Sequence, residues 1–204
     1  MTDTAPRRRG RPSRTHAGEG PAARERILQS AREEFSERGY DKTSVRSIAK
    51  GAGVDPALVH HYFGTKEQVF EAAIEVVFAP ALKAPDTIIE GPLDGVGERF
   101  SRFLFGVWEN PVTRTPLLAV VRSAMNNEAA AAVFRRLVTT QLLRRVAGHV
   151  GTPDAELRAE LAAAQLVGVA MMRYVIKLEP LASADVEQII ARVAPVVQGH
   201  LTGP

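Results

Sequence analysis

From Ala22 to the C-terminus, apolar residues return at spacings of three and four, and no segment of useful length alternates apolar with polar. A chain patterned this way buries helix stripes against other helices, so the expectation is an all-α fold. In the first helix Ile27, Leu28, Ala31 and Phe35 share one face, with Arg24, Glu25, Arg32, Glu33 and Glu37 opposite, and Gly39 stands where a helix end favours positive φ. Two short helices follow, the first from Thr43 to the Gly51 and Gly53 breaks, the second from the Asp55-Pro56 start to about Phe63. A fourth helix opens at Thr65, with Gln68 completing a capping box, and is expected to end at Pro80 and Pro85. Longer helices are predicted at about 93–109, 116–127, 129–148, 155–178 and 184–201, separated by Pro111, Pro116, Gly151-Thr152-Pro153 and Pro180.

With 45% hydrophobic residues the chain can build a core, and without cysteine it has neither disulfides nor thiolate metal sites. No apolar stretch reads as long enough for a membrane span, so a soluble cytoplasmic protein is expected. Charge is uneven. Residues 1–66 hold 13 Lys/Arg against 8 Asp/Glu, whereas residues 67–204 hold 13 against 15. A basic N-terminal third on a slightly acidic body suits a nucleic-acid reader joined to a second module. Three parts are expected: a disordered basic arm (1–21), a helix-turn-helix unit (22–67) and a helical regulatory and dimerisation domain (68–204).

Residues 45–64 meet the requirements of a helix-turn-helix. Ala49 is small where two helices cross, Gly53 permits the turn, and Ile48, Ala52, Val54, Val59 and Tyr62 are apolar or aromatic where the unit packs on its neighbours. The geometry holds the second helix so that its N-terminal part enters the major groove. The stretch from Ile27 to Phe70 resembles the DNA-binding domain of the TetR family. The resemblance rests on Gly39-Tyr40, the Thr/Ser-rich start of helix 2, Ile48-Ala49, Gly53-Val54, Tyr62-Phe63 and Lys66-Glu67. The C-terminal two thirds are similar to actinobacterial members in length and helix pattern. The resemblance implies a sequence-specific, two-fold dimeric regulator on a palindromic operator, a repressor released by a small-molecule effector. A DNA-binding architectural protein without ligand response is the alternative. Phosphate loops, nucleophile elbows and metal-ligand clusters are missing from the sequence, so neither an enzyme nor a cofactor is expected.

Arg46 is placed by the family pattern near base edges or phosphates, the other reading being a solvated arginine. Thr43 and Ser44 either bond phosphate at a helix start or serve as caps. Pro56, Ala57, His60 and His61 are expected to face the groove, Ala57 against a thymine methyl; His60 departs from the tyrosine common in the family. Adjacent His60 and His61 diverge by about 100° on a helix, which argues against metal. Tyr62 is open between core and phosphate contact, and Lys66 resembles the family's phosphate-binding lysine. Arg9 and Arg11, in Arg-Gly-Arg-Pro, resemble an AT-hook core or form a basic tail.

Leu157, Leu161, Ala164, Gly168, Met171 and Val175 form one apolar seam and Ile189, Val193 and Val197 another, for dimerisation or for burial within one subunit. Phe105, Trp108, Met125, Met171 and Tyr174 are candidate lining of a ligand pocket, the other reading being ordinary core, and Arg122 and Asn126 are polar groups that could orient a ligand.

Overall fold

The computed structural model describes residues 20–82 and 85–204 of the chain, and among these every regular element is helical. Helix α1 (Pro21–Lys42) is broken at Gly39 (φ 73°), as the glycine predicts. Then come α2 (Val45–Ala52), α3 (Pro56–Phe63), α4 (Lys66–Leu82) and α5 (Pro85–Ile89). The larger part comprises α6 (Val96–Glu109), α7 (Pro111–Asn126), α8 (Glu128–Val138), α9 (Arg144–Val150), α10 (Ala155–Ala170) and α11 (Val186–Thr202). Two π-helical turns, Thr139–Leu143 and Met171–Ile176, extend α8 and α10.

Prolines end fewer helices than expected. Pro111 opens α7, where its missing N–H costs nothing, but Pro116 lies inside that helix. The carbonyl Pro116 leaves unpaired belongs to Val112, which is 80% exposed, so water can satisfy it. Pro195 lies likewise inside α11 with Ala191 exposed four residues before it, and α4 runs through Pro80.

Two cores result. One unites Ile27, Phe35, Ile48, Val59, Phe70 and Ile74 with Val120, Val133 and Leu137 of α7 and α8. The other packs α6 against α10 and α11 around Phe100, Phe105, Leu166 and Val197. The expected boundary at 67/68 falls in the first turn of α4, yet Val69, Phe70, Ala73 and Ile74 of that helix belong to the first core. The reading unit therefore extends further along α4 than the cap signal at Thr65 suggests.

Gly97 sets the spacing between α6 and α11. A Cβ there would lie 2.5 Å from the backbone nitrogen of Gln198 and 2.7 Å from the Ala194 carbonyl oxygen. Gly97→Ala is expected to force the helices apart and to destabilise the fold by about 1–3 kcal/mol, read as a lower midpoint in urea. An unchanged midpoint would refute this account of the crossing.

The membrane reading needs correcting. Ala155–Ile176 is long and apolar enough to cross a bilayer by length and composition, with a mean hydropathy of 1.4. Its outward apolar face is responsible, since the helix stays largely unburied within one chain.

Candidate nucleic-acid interface and internal cavity

The helix-turn-helix is locked from three sides. Ser44 caps α2, its Oγ accepting from the Ser47 N–H while the Ser44 N–H donates to Ser47 Oγ, both at 3.0 Å. Gly53 ends α2 in the left-handed region (φ 65°), and Asp55 caps α3 through the Ala57 N–H. From α1, Ser30 Oγ donates to the Ile48 carbonyl at 2.9 Å and Arg26 Nε to the Ala52 carbonyl at 3.2 Å. Gly51 is part of this fit, because a Cβ there would meet Ser30 Oγ at 2.3 Å.

On the outer face Ser44, Arg46, Ala57, His60 and His61 are exposed, and Pro56 is half-buried at the start of α3. No acidic residue occupies the first turn of α2, so its positive end is open to an anion, with the Val45 and Arg46 N–H groups unclaimed by the helix. His60 Nδ1 lies 2.7 Å from the Gly64 carbonyl, which orients the ring and leaves Nε2 outward. His61 makes an edge contact with the Tyr62 ring. Among the described residues no group of three or more potential metal ligands assembles.

Thr43 departs from the phosphate role considered for it, and Tyr62 packs partly against the first core, one of the two readings left open for it. Thr43 is buried (2% exposed), and its hydroxyl is turned inward onto the Glu34 and Gly39 carbonyls, so it ties off α1 rather than facing a phosphate. The Tyr62 hydroxyl accepts from the Gly20 N–H at 2.8 Å and lies 3.3 Å from its carbonyl, which fastens the start of α1 to α3. Neither contact was legible from helical spacing. Arg9 and Arg11, with most of the 1–21 arm, lie outside the described residues.

Lys66 begins α4 with Nζ 4.2 Å from the centroid of the Tyr40 ring, and burial lowers its pKa from the ordinary lysine value. Tyr40 in turn donates its hydroxyl to Glu67 and its N–H to Ser123 Oγ of α7. Burial, then the Glu67 hydrogen bond, raises the Tyr40 pKa, so it remains a donor at neutral pH. Lys66→Gln is expected to weaken operator binding uniformly across sequences. The log–log salt slope should shrink by about 0.9 per subunit, the signature of one lost phosphate contact. An unchanged slope would remove Lys66 from the interface.

A cavity of about 220 Å³ lies behind α4, among α6, α7, α8 and α10. Trp108 is the one ligand candidate that lines it, beside Phe103, Leu104, Val107, Phe134 and Leu137. Phe105 is core (1% exposed) and points elsewhere. Arg122, Met125 and Asn126 are exposed near the end of α7, and Asn126 donates to the Arg122 carbonyl. Met171 packs half-buried on the second core. Tyr174 backs the wall instead of forming it, stacked on Trp108 with ring centroids 5.8 Å apart. Its hydroxyl donates to Glu109, and burial first, then Glu109, pushes its pKa up to about 12. Arg173 spends its fork on Glu109 and on the Leu181, Ala182 and Ala184 carbonyls. Ile74 of α4 belongs both to this cavity wall and to the core beneath the helix-turn-helix.

The comparisons with known proteins agree with this geometry. Residues 27–73 match the family of bacterial regulatory proteins named for TetR, and residues 94–201 match the tetracyclin repressor-like C-terminal domain. The chain belongs to the TetR family. It is similar to the HTH-type transcriptional regulator BetI of Rhizobium meliloti, 30% identical over 196 residues that cover 90% of this chain and 92% of that one. A TetR-family regulator from Streptomyces coelicolor superposes with a TM-score of 0.72 at 42% identity, covering 93% of this chain and 99% of that one. The fold also matches SmeT, solved as its triclosan complex, with a TM-score of 0.63 at 19% identity over 85% of this chain and 88% of that one. TetR-family proteins are helix-turn-helix transcriptional regulators, generally not enzymes, typically repressors that respond to ligands. They bind DNA operators, function as dimers, bind small-molecule effectors, and are soluble cytoplasmic proteins.

Dimer formation by a TetR-family chain requires an apolar face left over from its own fold, and α10 has one. Leu157 (56% exposed) and Leu161 (45%) lie outward with Ala164 and Gly168, while Ala159, Ala162, Leu166 and Ala170 on the opposite face are buried. Val175 and Met171 are only half-buried, packed against the chain's own core. The second predicted seam is corrected. Ile189, Val193 and Val197 are buried within the subunit, between α11 and α6. The outward face of α11 carries Gln188, Arg192, Val196 and Gly199 instead. An apolar stripe on a terminal helix can face either way, and only the tertiary packing decides.

Proposed function

We propose that this TetR-family regulator is a repressor that sits as a two-fold dimer on a palindromic operator and leaves it when a small molecule fills the cavity behind α4. Ser44, Arg46, Pro56, Ala57, His60, His61 and Lys66 form its DNA face. The observation that carries the reading is the double membership of Ile74. One side chain lines the cavity and also packs in the core that supports α1 to α3. A ligand that displaces Ile74 therefore tilts α4 and with it the recognition helix α3. Two recognition helices read successive major grooves only near a spacing of about 34 Å, so a changed spacing lowers affinity for the operator. The effector acts because it prefers the incompetent spacing, and operator DNA must weaken its binding by the same factor.

The cavity also favours ligand response over a purely architectural role on DNA. The test is selection of random duplexes by the purified protein, followed by a screen for molecules that release the recovered sequence. A palindrome whose binding falls with a saturating ligand upholds the reading. Failure to recover any motif at low salt would put the architectural reading in its place.

A further inference from the structure

We propose that the cavity takes a small, uncharged, predominantly apolar molecule of about ten carbon atoms, held by shape and not by hydrogen bonds. The inference rests on the effector reading above for the role of the site, and it adds the chemical class. Thirteen side chains line the space, and of these Trp108 alone carries a polar atom; the others are alanine, valine, leucine, isoleucine and phenylalanine. Behind the Trp108 wall Arg173 and Glu109 are bonded to each other, Tyr174 also bonds Glu109, Arg173 holds the Leu181, Ala182 and Ala184 carbonyls, and Arg114 donates to the Trp108 carbonyl and lies over the Tyr174 ring. None of these charged side chains is among those that line the cavity.

Chemistry of this kind rejects ions. A carboxylate or ammonium entering such a space loses its hydration and gains no counter-charge. Size sets the other limit. An apolar cavity of about 150 Å³ stays dry and accepts benzene. This one, at about 220 Å³, is roughly half as large again and has room for two small rings. One wall is rigid, because Trp108 is stacked on Tyr174 at an interplanar angle of 9°. The facing wall includes Val138 and Leu142, at either end of the π-helical turn Thr139–Leu143, an element that recurs at functional sites. With the Trp108 indole N–H as the one polar group on its wall, the site separates neutral compounds chiefly by fit. A methylene more or less should change affinity by about ten- to two-hundredfold at most.

Trp108 is the single tryptophan of the chain, so its emission reports the cavity directly. The full-length protein is titrated with three optically silent probes that share one ten-carbon cage: adamantane, adamantane-1-carboxylate and 1-adamantylammonium. Adamantane should shift Trp108 emission saturably and raise the melting temperature, while each ion binds at least about a hundredfold more weakly. Ala163→Phe fills the cavity from α10 and should abolish the response. Val167→Phe, at the rim of the same helix, does so should the first variant fold poorly. Equal binding of either ion overturns the proposal and leaves the effector reading intact. Absence of binding by adamantane, or binding that survives both fillings, also overturns it. Binding of adamantane with operator affinity unchanged upholds the ligand class and sinks the effector reading instead.

Discussion

Replacing Leu157 and Leu161 together by glutamate is expected to convert the dimer into monomers and to lower operator affinity by more than about a hundredfold. Both side chains are about half exposed in the subunit and contribute little to its own core, which lies on the opposite face of α10. A two-fold interface brings the pair in twice. The exposed halves of four leucines then leave water, each contributing about 1 kcal/mol to association. Four carboxylates in their place would be desolvated without partners, which reverses the sign of the contribution. Sedimentation at micromolar concentration should give the mass of one chain, 22.1 kDa. The helical circular dichroism signal should persist. Val197→Glu is the contrasting variant: Val197 is fully buried against α6, so the charge there should unfold the subunit outright. A double glutamate variant that sediments as a dimer would move the interface away from α10.

Arg46→Ala should cost about 1–3 kcal/mol of specific affinity, a loss of roughly five- to a hundred-and-fiftyfold, with little change on random DNA. The side chain is exposed on the first turn of α2, and within the described residues no carboxylate or carbonyl holds its guanidinium. The fork is therefore free to pair with a guanine edge or a phosphate. The two choices separate by specificity. Loss confined to the operator marks a base contact, uniform loss marks phosphate, and no loss at all would mean a solvated arginine. Lysine at this position should restore phosphate binding but not bidentate pairing.

Local signals in the sequence proved the most legible. The Asp55-Pro56 start, the Thr65/Gln68 box and the Gly39 and Gly53 breaks each involve groups within four residues of one another, and all appear in the structure. The helix-turn-helix was readable for the same reason. What depended on distant partners was not. Thr43 looked like a cap until its hydroxyl was seen to reach back to Glu34, and Tyr62 gave no hint of Gly20, 42 residues earlier. The cavity lining comes from five helices, so no periodicity marks Val107, Leu137 and Leu142 as neighbours. Ile189, Val193 and Val197 form a sound stripe that belongs to the inside of the subunit. Pro116 broke the rule of thumb because the carbonyl it leaves unpaired comes from an exposed residue, so water can satisfy it.

The clasp between Tyr62 and Gly20 fixes the point from which the first nineteen residues depart. That point lies against Tyr62 of α3, one residue along the helix from the exposed His61. Residues 1–19 carry five arginines against two acidic residues. Tethering at this position would make any encounter of theirs with a duplex intramolecular once α3 has docked, at an effective concentration set by the tether rather than by the protein in solution. Tyr62→Phe would keep the ring and remove both contacts to Gly20, so a single oxygen atom joins the start of α1 to the recognition helix.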